Sequence, residues 1–267
     1  MKSRIEGLIA QHPDKRIAVG FRNIESGHEW FIAPDEVFHA ASTMKVGVMM
    51  EVYRQAAAGL VQLDGSVVVR NRFASLVDGS EYRLGPEEDS DPELFDQIGQ
   101  PVEVRELVRR MIVRSSNLAT NELLCLVAAG EACDFMEFLG APGVRILRGV
   151  EDGLAYAQGL NNTTTARALV TILTKLARHE VVSPAASEEM LNLMRDQEHN
   201  EAIPADLPPG IVVAHKTGWI GHIYHDAAIV ESQPRFVLVV LTEGFPDEHA
   251  PPFVAEVARI VYEGVSG

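Results

Sequence analysis

Residues 16–23 alternate apolar and polar side chains in the manner of a strand, and residues 29–33 do so again after the turn-forming run Glu25-Ser26-Gly27-His28. A period of two puts one set of side chains on one face of a sheet, so the pair predicts a hairpin. A short amphipathic helix over residues 3–11 precedes it. From Ser42 the period changes: Met44, Val48, Met49 and Val52 recur at helical spacing as far as Gly59, a run dense enough for a helix buried on most sides. Residues 72–100 show no period. Helices resume over 102–113, 118–129, 165–179 and 187–195, with Asn162-Thr163-Thr164-Thr165 as a cap before the third. Residues 145–162 are irregular and rich in glycine. Beyond the proline-bearing turn at 203–210, strands follow over 211–216, 226–230 and 235–242, and an amphipathic helix over 252–263 ends the pattern.

Strands at both ends with helices between them predict a mixed α/β (α+β) fold: a five-stranded antiparallel sheet flanked by terminal helices, with an all-helical subdomain inserted. One domain is expected over 1–267, its sheet part at about 1–41 and 205–267 and its helical part at about 42–204. A cleft between the two parts is the expected place for chemistry.

Composition narrows the function. With 267 residues the chain can bury a sizeable core, and 46% hydrophobic and 23% charged residues exclude disordered and collagen-like classes. A formal net charge of −15 argues against a nucleic-acid footprint or a polybasic membrane surface, so an anionic substrate needs a local cationic pocket. No stretch approaches the roughly 18 uninterrupted apolar residues of a membrane span. Met1-Lys2-Ser3-Arg4-Ile5-Glu6-Gly7 lacks the apolar core of a signal peptide, which leaves a cytoplasmic protein or one whose leader has been removed. Cys125 and Cys133 are eight apart in helical sequence, about 12 Å along one helix. That is too far for a disulfide, and they are expected as two buried free thiols without zinc-ligand partners. The acidic run 86–93 lacks the spaced carboxylates and glycine of a calcium loop and reads as a solvated loop.

The candidate chemistry centres on Phe38-His39-Ala40-Ala41-Ser42-Thr43-Met44-Lys45. If a helix begins near Ser42, residues i and i+3 share a face, and Lys45 lies beside the Ser42 hydroxyl. A partly buried lysine near other cationic groups can lose its proton and activate such a hydroxyl; an ordinary helix start is the competing reading. Two further clusters follow, Ser115-Ser116-Asn117 on a turn between helices and His215-Lys216-Thr217-Gly218-Trp219 near a strand. The first could also be no more than a helix N-cap. The order Ser-x-x-Lys, Ser-x-Asn, Lys-Thr-Gly resembles the serine β-lactamase and penicillin-binding protein superfamily, nearest its class A branch, over almost the whole chain.

The resemblance implies an acyl-enzyme on Ser42, with Lys45 as base, Ser115 relaying a proton to the departing nitrogen and Asn117 holding the substrate's side-chain amide. Lys216 and Thr217 would bind the substrate carboxylate, Gly218 would let the backbone approach closely, and the amides of Ser42 and Trp219 would form the oxyanion hole. The chain departs from the class A pattern at three places. Ser116 stands where an aspartate is usual. Glu151-Asp152-Gly153-Leu154-Ala155 keeps the glutamate and leucine of Glu-x-x-Leu-Asn but ends in alanine, and Asn162 replaces an aspartate that normally pairs with an arginine, here Arg148. Glu151 is accordingly either the deacylation base or an exposed loop carboxylate. His39 as a partner of Ser42, and His215, His222, His225 and Asp226 as a metal site, are lesser alternatives.

The expected activity is β-lactam hydrolysis by a monomer that needs no cofactor or metal and acts on a small β-lactam or a peptidoglycan-peptide-like substrate. Two rivals share the acylation half: a D-alanyl-D-alanine carboxypeptidase or esterase, and an acylable penicillin-binding sensor that deacylates poorly. A scaffold whose Ser42 is never acylated is a third.

Overall fold

The computed structural model describes residues 1–266. Helix α1 (Lys2–Ile9) leads into β1 (Arg16–Asn23) and β2 (Glu29–Ile32), the predicted hairpin, with Gly27 at φ +73° in its turn. Next come β3 (Phe38–His39), a single 3₁₀ turn over Ala41–Met44, and helix α2 (Lys45–Ala57). The aperiodic stretch resolves into β4 (Ser66–Val68), β5 (Phe73–Ala74), β6 (Glu81–Tyr82) and β7 (Pro101–Glu103), all in two-stranded ribbons. Helices α3 (Val104–Val113), α4 (Asn117–Val127) and α5 (Ala129–Phe138) follow. Then come α6 (Gly153–Ala157), β8 (Thr163–Thr164), α7 (Ala166–Ala177) and α8 (Pro184–Arg195). Strands β9 (Val212–Ile220), β10 (Ile223–Glu231) and β11 (Phe236–Glu243) and helix α9 (Ala250–Ser266) complete the order.

The five long strands form one antiparallel sheet in the order β2-β1-β11-β10-β9. In β11, Phe236 to Leu241 are all fully buried, which is why it reads as a continuous apolar run: it lies mid-sheet with both faces covered. Phe236, Leu238 and Val240 pack with α1 and α9 residues such as Ile5, Val254 and Val257. Val237, Val239 and Leu241 face the other way, into a core shared with α2, α3, α4 and α7. That larger core joins the sheet to the helices and fixes the cleft between them.

Three expectations need correction. Strand β9 runs on to Ile220 instead of stopping at Lys216, because pairing with β10 continues through Gly218↔His225 and Trp219↔Tyr224 to the turn at Gly221. Lys216, Thr217 and Gly218 therefore lie inside an edge strand. The cysteines are not two buried thiols of one helix: the chain breaks at Ala128 (φ +65°), placing Cys125 exposed on α4 and Cys133 half-buried on α5. Nor is the acidic run wholly solvated. Glu87, Glu88 and Glu93 face water, but Asp89 and Asp91 are buried, Asp91 against the Arg110 and Arg114 guanidinium groups at 2.8 and 3.1 Å. Among the described residues no helix is long and apolar enough to cross a membrane.

Candidate active site

Ser42 lies in the 3₁₀ turn that opens α2, where side chains three apart eclipse one another, so Ser42 and Lys45 project to the same side. The residue before it, Ala41, is held at φ +45°, a left-handed conformation that costs an alanine strain and needs support from outside. Part of that support is His39, whose Nδ1 accepts the Ala41 amide at 3.0 Å. This bond makes Nε2 the protonated nitrogen of the neutral ring, and burial, with the Arg148 charge, lowers the His39 pKa to about 4. His39 is therefore poorly suited to act as the base for Ser42.

Lys45 is fully buried and donates to the Ser115 carbonyl at 2.7 Å, Asn117 Oδ1 at 2.8 Å and Ser115 Oγ at 3.3 Å. Lys216, also fully buried, reaches the same Ser115 hydroxyl at 2.9 Å and the Thr217 carbonyl at 2.9 Å. One hydroxyl thus bridges two lysines that belong to opposite walls of the cleft. Burial lowers the Lys45 pKa to about 7, although Asp89 and Glu151 pull it back up. Burial and the Lys45 charge push Lys216 well below its ordinary value too. Two ammonium groups this close resist being charged together, and it is Lys216 that the Lys45 charge pushes down, while burial alone brings Lys45 near neutrality.

Ser115 is a second strained residue, at φ +61°, with Ser116 capping α4 by accepting the Ala119 amide at 3.2 Å. The turn displays Asn117 half-buried at the cleft, whose Nδ2 reaches Glu151 Oε1 at 3.3 Å. Glu151 is the third, at φ +60°. Its neighbours are fastened on both sides: the Asn121 side chain bonds the Val150 amide at 2.7 Å and carbonyl at 2.9 Å, and Asp152 accepts from Leu76 N at 2.8 Å and Ser75 Oγ at 2.9 Å. Burial, with the Glu88 charge, raises the Glu151 pKa despite the opposing pull of Lys45. A carboxyl whose pKa is raised in this way can accept a proton more readily than an exposed one.

Arg148 is not left without partners: it donates to the carbonyls of Leu160 and Gly149 and to Asn161 Oδ1 at 2.8–2.9 Å. Asn162 bonds the backbone of Leu147 and Arg148 rather than the guanidinium. An amide-held loop thus stands where the class A pattern has an ion pair. Ala155, at the place of the class A asparagine, is fully buried.

On the strand side, a methyl group added at Gly218 would lie 2.7 Å from Ser42 N and 3.0 Å from Thr43 N. Both are backbone atoms that cannot step aside. Gly218→Ala is expected to push β9 off the Ser42 turn, slowing any acylation of Ser42 roughly 10- to 100-fold. Overpacking should cost about 1–3 kcal/mol of stability. Stopped-flow acylation and a urea melt would read both effects, and an unchanged rate would show that this contact does not govern Ser42. Beside it, the Thr217 hydroxyl is buried with no hydrogen-bond partner, and Trp219 is 42% exposed at the mouth. A cavity of about 300 Å³ brings together Ser42, Asn117, Glu151, Trp219, Tyr156 and Arg148. The histidines and aspartate weighed as a metal site turn apart: His215 pairs with Asp226 at 3.0 Å, while His225 bonds the His39 carbonyl at 2.9 Å from the other face of β10.

Sequence reasoning did not find Asn121, Asp152, Tyr156 or Asp89. Asn121 carried a signal, being one helical turn beyond Asn117 on the same face; the others depend on loops meeting in space.

The model of the Beta-lactamase enzyme family matches residues 1–265. Among solved structures, penicillin-binding protein PBP-A superposes with a TM-score of 0.85 at 25% identity, covering 99% of this chain and 95% of that one. A single-substitution mutant of PBP-A, solved as an acyl-enzyme complex with penicillin G, gives 0.83 at 25% identity over 99% and 95%. An ancestral class A β-lactamase gives 0.84 at 24% identity, over 98% of each chain.

Proposed function

We propose that this chain, which belongs to the β-lactamase enzyme family, opens β-lactam rings through an acyl-enzyme on Ser42. The observation that carries the reading is the bridge from Lys45 through Ser115 Oγ to Lys216, a route for protons beside the Ser42 turn. In the proposed reaction Ser42 Oγ attacks the lactam carbonyl and its proton passes to the neutral Lys45 amine. Lys45 then hands a proton to Ser115, which delivers its own to the departing lactam nitrogen as the C–N bond breaks. The amides of Ser42 and Trp219 receive the oxyanion, and Gly218, lacking a side chain, keeps that strand close enough.

Lys216 and the unpartnered Thr217 hydroxyl take the substrate carboxylate, and Asn117 takes its side-chain amide. A water activated by Glu151 releases the product. A second reading keeps the acylation half and slows the release, as in a penicillin-binding sensor or a D-alanyl-D-alanine carboxypeptidase or esterase. The alanine at position 155 favours it, since the water beside Glu151 loses an amide partner there.

Intact-protein mass spectrometry with a penicillin, alongside the colour change of a chromogenic cephalosporin, tests the proposal. One acyl group per chain should add at Ser42, at a rate that rises with pH through about 7 as Lys45 loses its proton. Absence of both an adduct and any loss of β-lactam would refute the reading; a persistent adduct without turnover would select the second one.

A further inference from the structure

The acidic loop upstream of α3 reaches into the site. Asp89 is 8% exposed, and its Oδ2 accepts the Leu118 amide at 2.7 Å and the Ser116 hydroxyl at 3.4 Å, while Oδ1 accepts the Asp91 amide at 2.9 Å. Leu118 and Ala119 are the second and third residues of α4, so two of the helix's otherwise unpaired amides are satisfied, one by Asp89 and one by Ser116 Oγ. We propose that Asp89 is a positioning residue for acylation, holding the strained Ser115-Ser116-Asn117 turn against Lys45 and supplying from a distant loop the carboxylate that the Ser-x-Asn motif lacks at Ser116. This rests on the acyl-enzyme reading above.

A capping carboxylate is often purely structural, and two observations distinguish this one. The turn it anchors is the turn to which Lys45 is bound, through the Ser115 carbonyl and Asn117 Oδ1, so a tilt of the turn moves the acceptors that orient the base. Its neighbour Asp91, 1% exposed, locks the same loop to Arg110 and Arg114 and touches none of the turn's polar atoms, so anchoring the loop and holding the turn are separate tasks. Charge adds a second effect. Lys45 meets Lys216 from β9 across the Ser115 hydroxyl, Glu151 from the loop opposite and Asp89 from behind the turn; burial drives its proton off, the two carboxylates hold it on, and the Lys45 charge in turn pushes Lys216 down. Removing the Asp89 charge must therefore let the proton leave at lower pH.

Three variants of the full chain test this: Asp89→Asn, Asp89→Ala and Asp91→Asn. The titration of Lys45, followed by ¹³Cε-lysine NMR, is expected to move to lower pH by roughly half a unit to one unit in Asp89→Asn. The acid limb of single-turnover acylation should move with it. Asp89→Ala, which also frees the Leu118 amide, is expected to acylate roughly 10- to 100-fold more slowly, with Asp89→Asn recovering most of that rate. Asp91→Asn should lower the melting temperature and leave both the Lys45 midpoint and the acylation rate in place. An unmoved Lys45 midpoint in Asp89→Asn, or wild-type acylation in Asp89→Ala, would overturn the assignment. If the wild-type chain takes no acyl group at all, the proposed function fails, while the Lys45 midpoint still decides the role of Asp89.

Discussion

Ser42→Ala is expected to abolish acyl-enzyme formation, with β-lactam turnover falling by roughly 10⁵-fold, equivalent to about 7 kcal/mol of transition-state stabilisation. The size follows from the loss of the covalent step itself: the lysine–serine–lysine bridge can still move protons, but no oxygen remains at position 42 to attack. Whatever turnover survives would have to come from water in the cleft. The fold should tolerate the change. Ser42 is only half-buried, and the strain in this region is carried by the backbone of Ala41, which the substitution leaves untouched. Mass spectrometry of the intact variant with a penicillin and a thermal melt decide the matter together. An adduct on a folded Ser42→Ala protein would place the nucleophile elsewhere.

Much of this architecture can be read from the pattern of side chains. The β1–β2 hairpin, α3 and α7 are legible because burial imposes a period of 2 or 3.6 on their residues, and the three C-terminal strands because sheet positions covered on both faces read as short, nearly continuous buried runs. The short ribbons β4–β7 are not legible, since two or three residues are too few to show any period. The cleft is legible in part for a different reason. Ser42, Lys45 and the Lys216-Thr217-Gly218 run are local motifs whose spacing carries their geometry, but what holds them is long-range. Position 116 shows the difference. Its serine reads as a lost carboxylate, yet a carboxylate is present, brought from Asp89 in a stretch that looks merely acidic because its exposed neighbours hide it. Likewise Asp152 looks like one more polar loop residue until Ser75 and Leu76 fold against it. Charge counts along a chain do not reveal which charges are buried.

Glu151→Gln is expected to separate the two halves of the reaction. Acylation should proceed at nearly the wild-type rate, because Ser42 is untouched, Lys45 keeps its bonds to Ser115, and only a carboxylate charge near Lys45 is lost. That loss acts in the direction of faster acylation below neutral pH, since the Glu151 charge helps to keep Lys45 protonated. Hydrolysis of the acyl-enzyme, by contrast, loses its base and should slow by roughly 10²- to 10⁴-fold, the usual share of a positioned proton acceptor. A penicillin adduct should then accumulate to one per chain and persist while the cephalosporin colour change stops after a single turnover. The substitution is nearly isosteric, and the clamps on Val150 and Asp152 hold the loop without using the Glu151 side chain, so a structural collapse is not the expected cause. The outcome also ranks the readings of function. A large fall in turnover makes Glu151 the deacylation base and the chain a hydrolase even with alanine at 155. Unchanged turnover means that the attacking water is activated by another group. If the wild-type adduct is already as long-lived as that of the variant, Glu151 contributes nothing to release, and the family's acylation chemistry has been kept here for a protein that holds on to its acyl group.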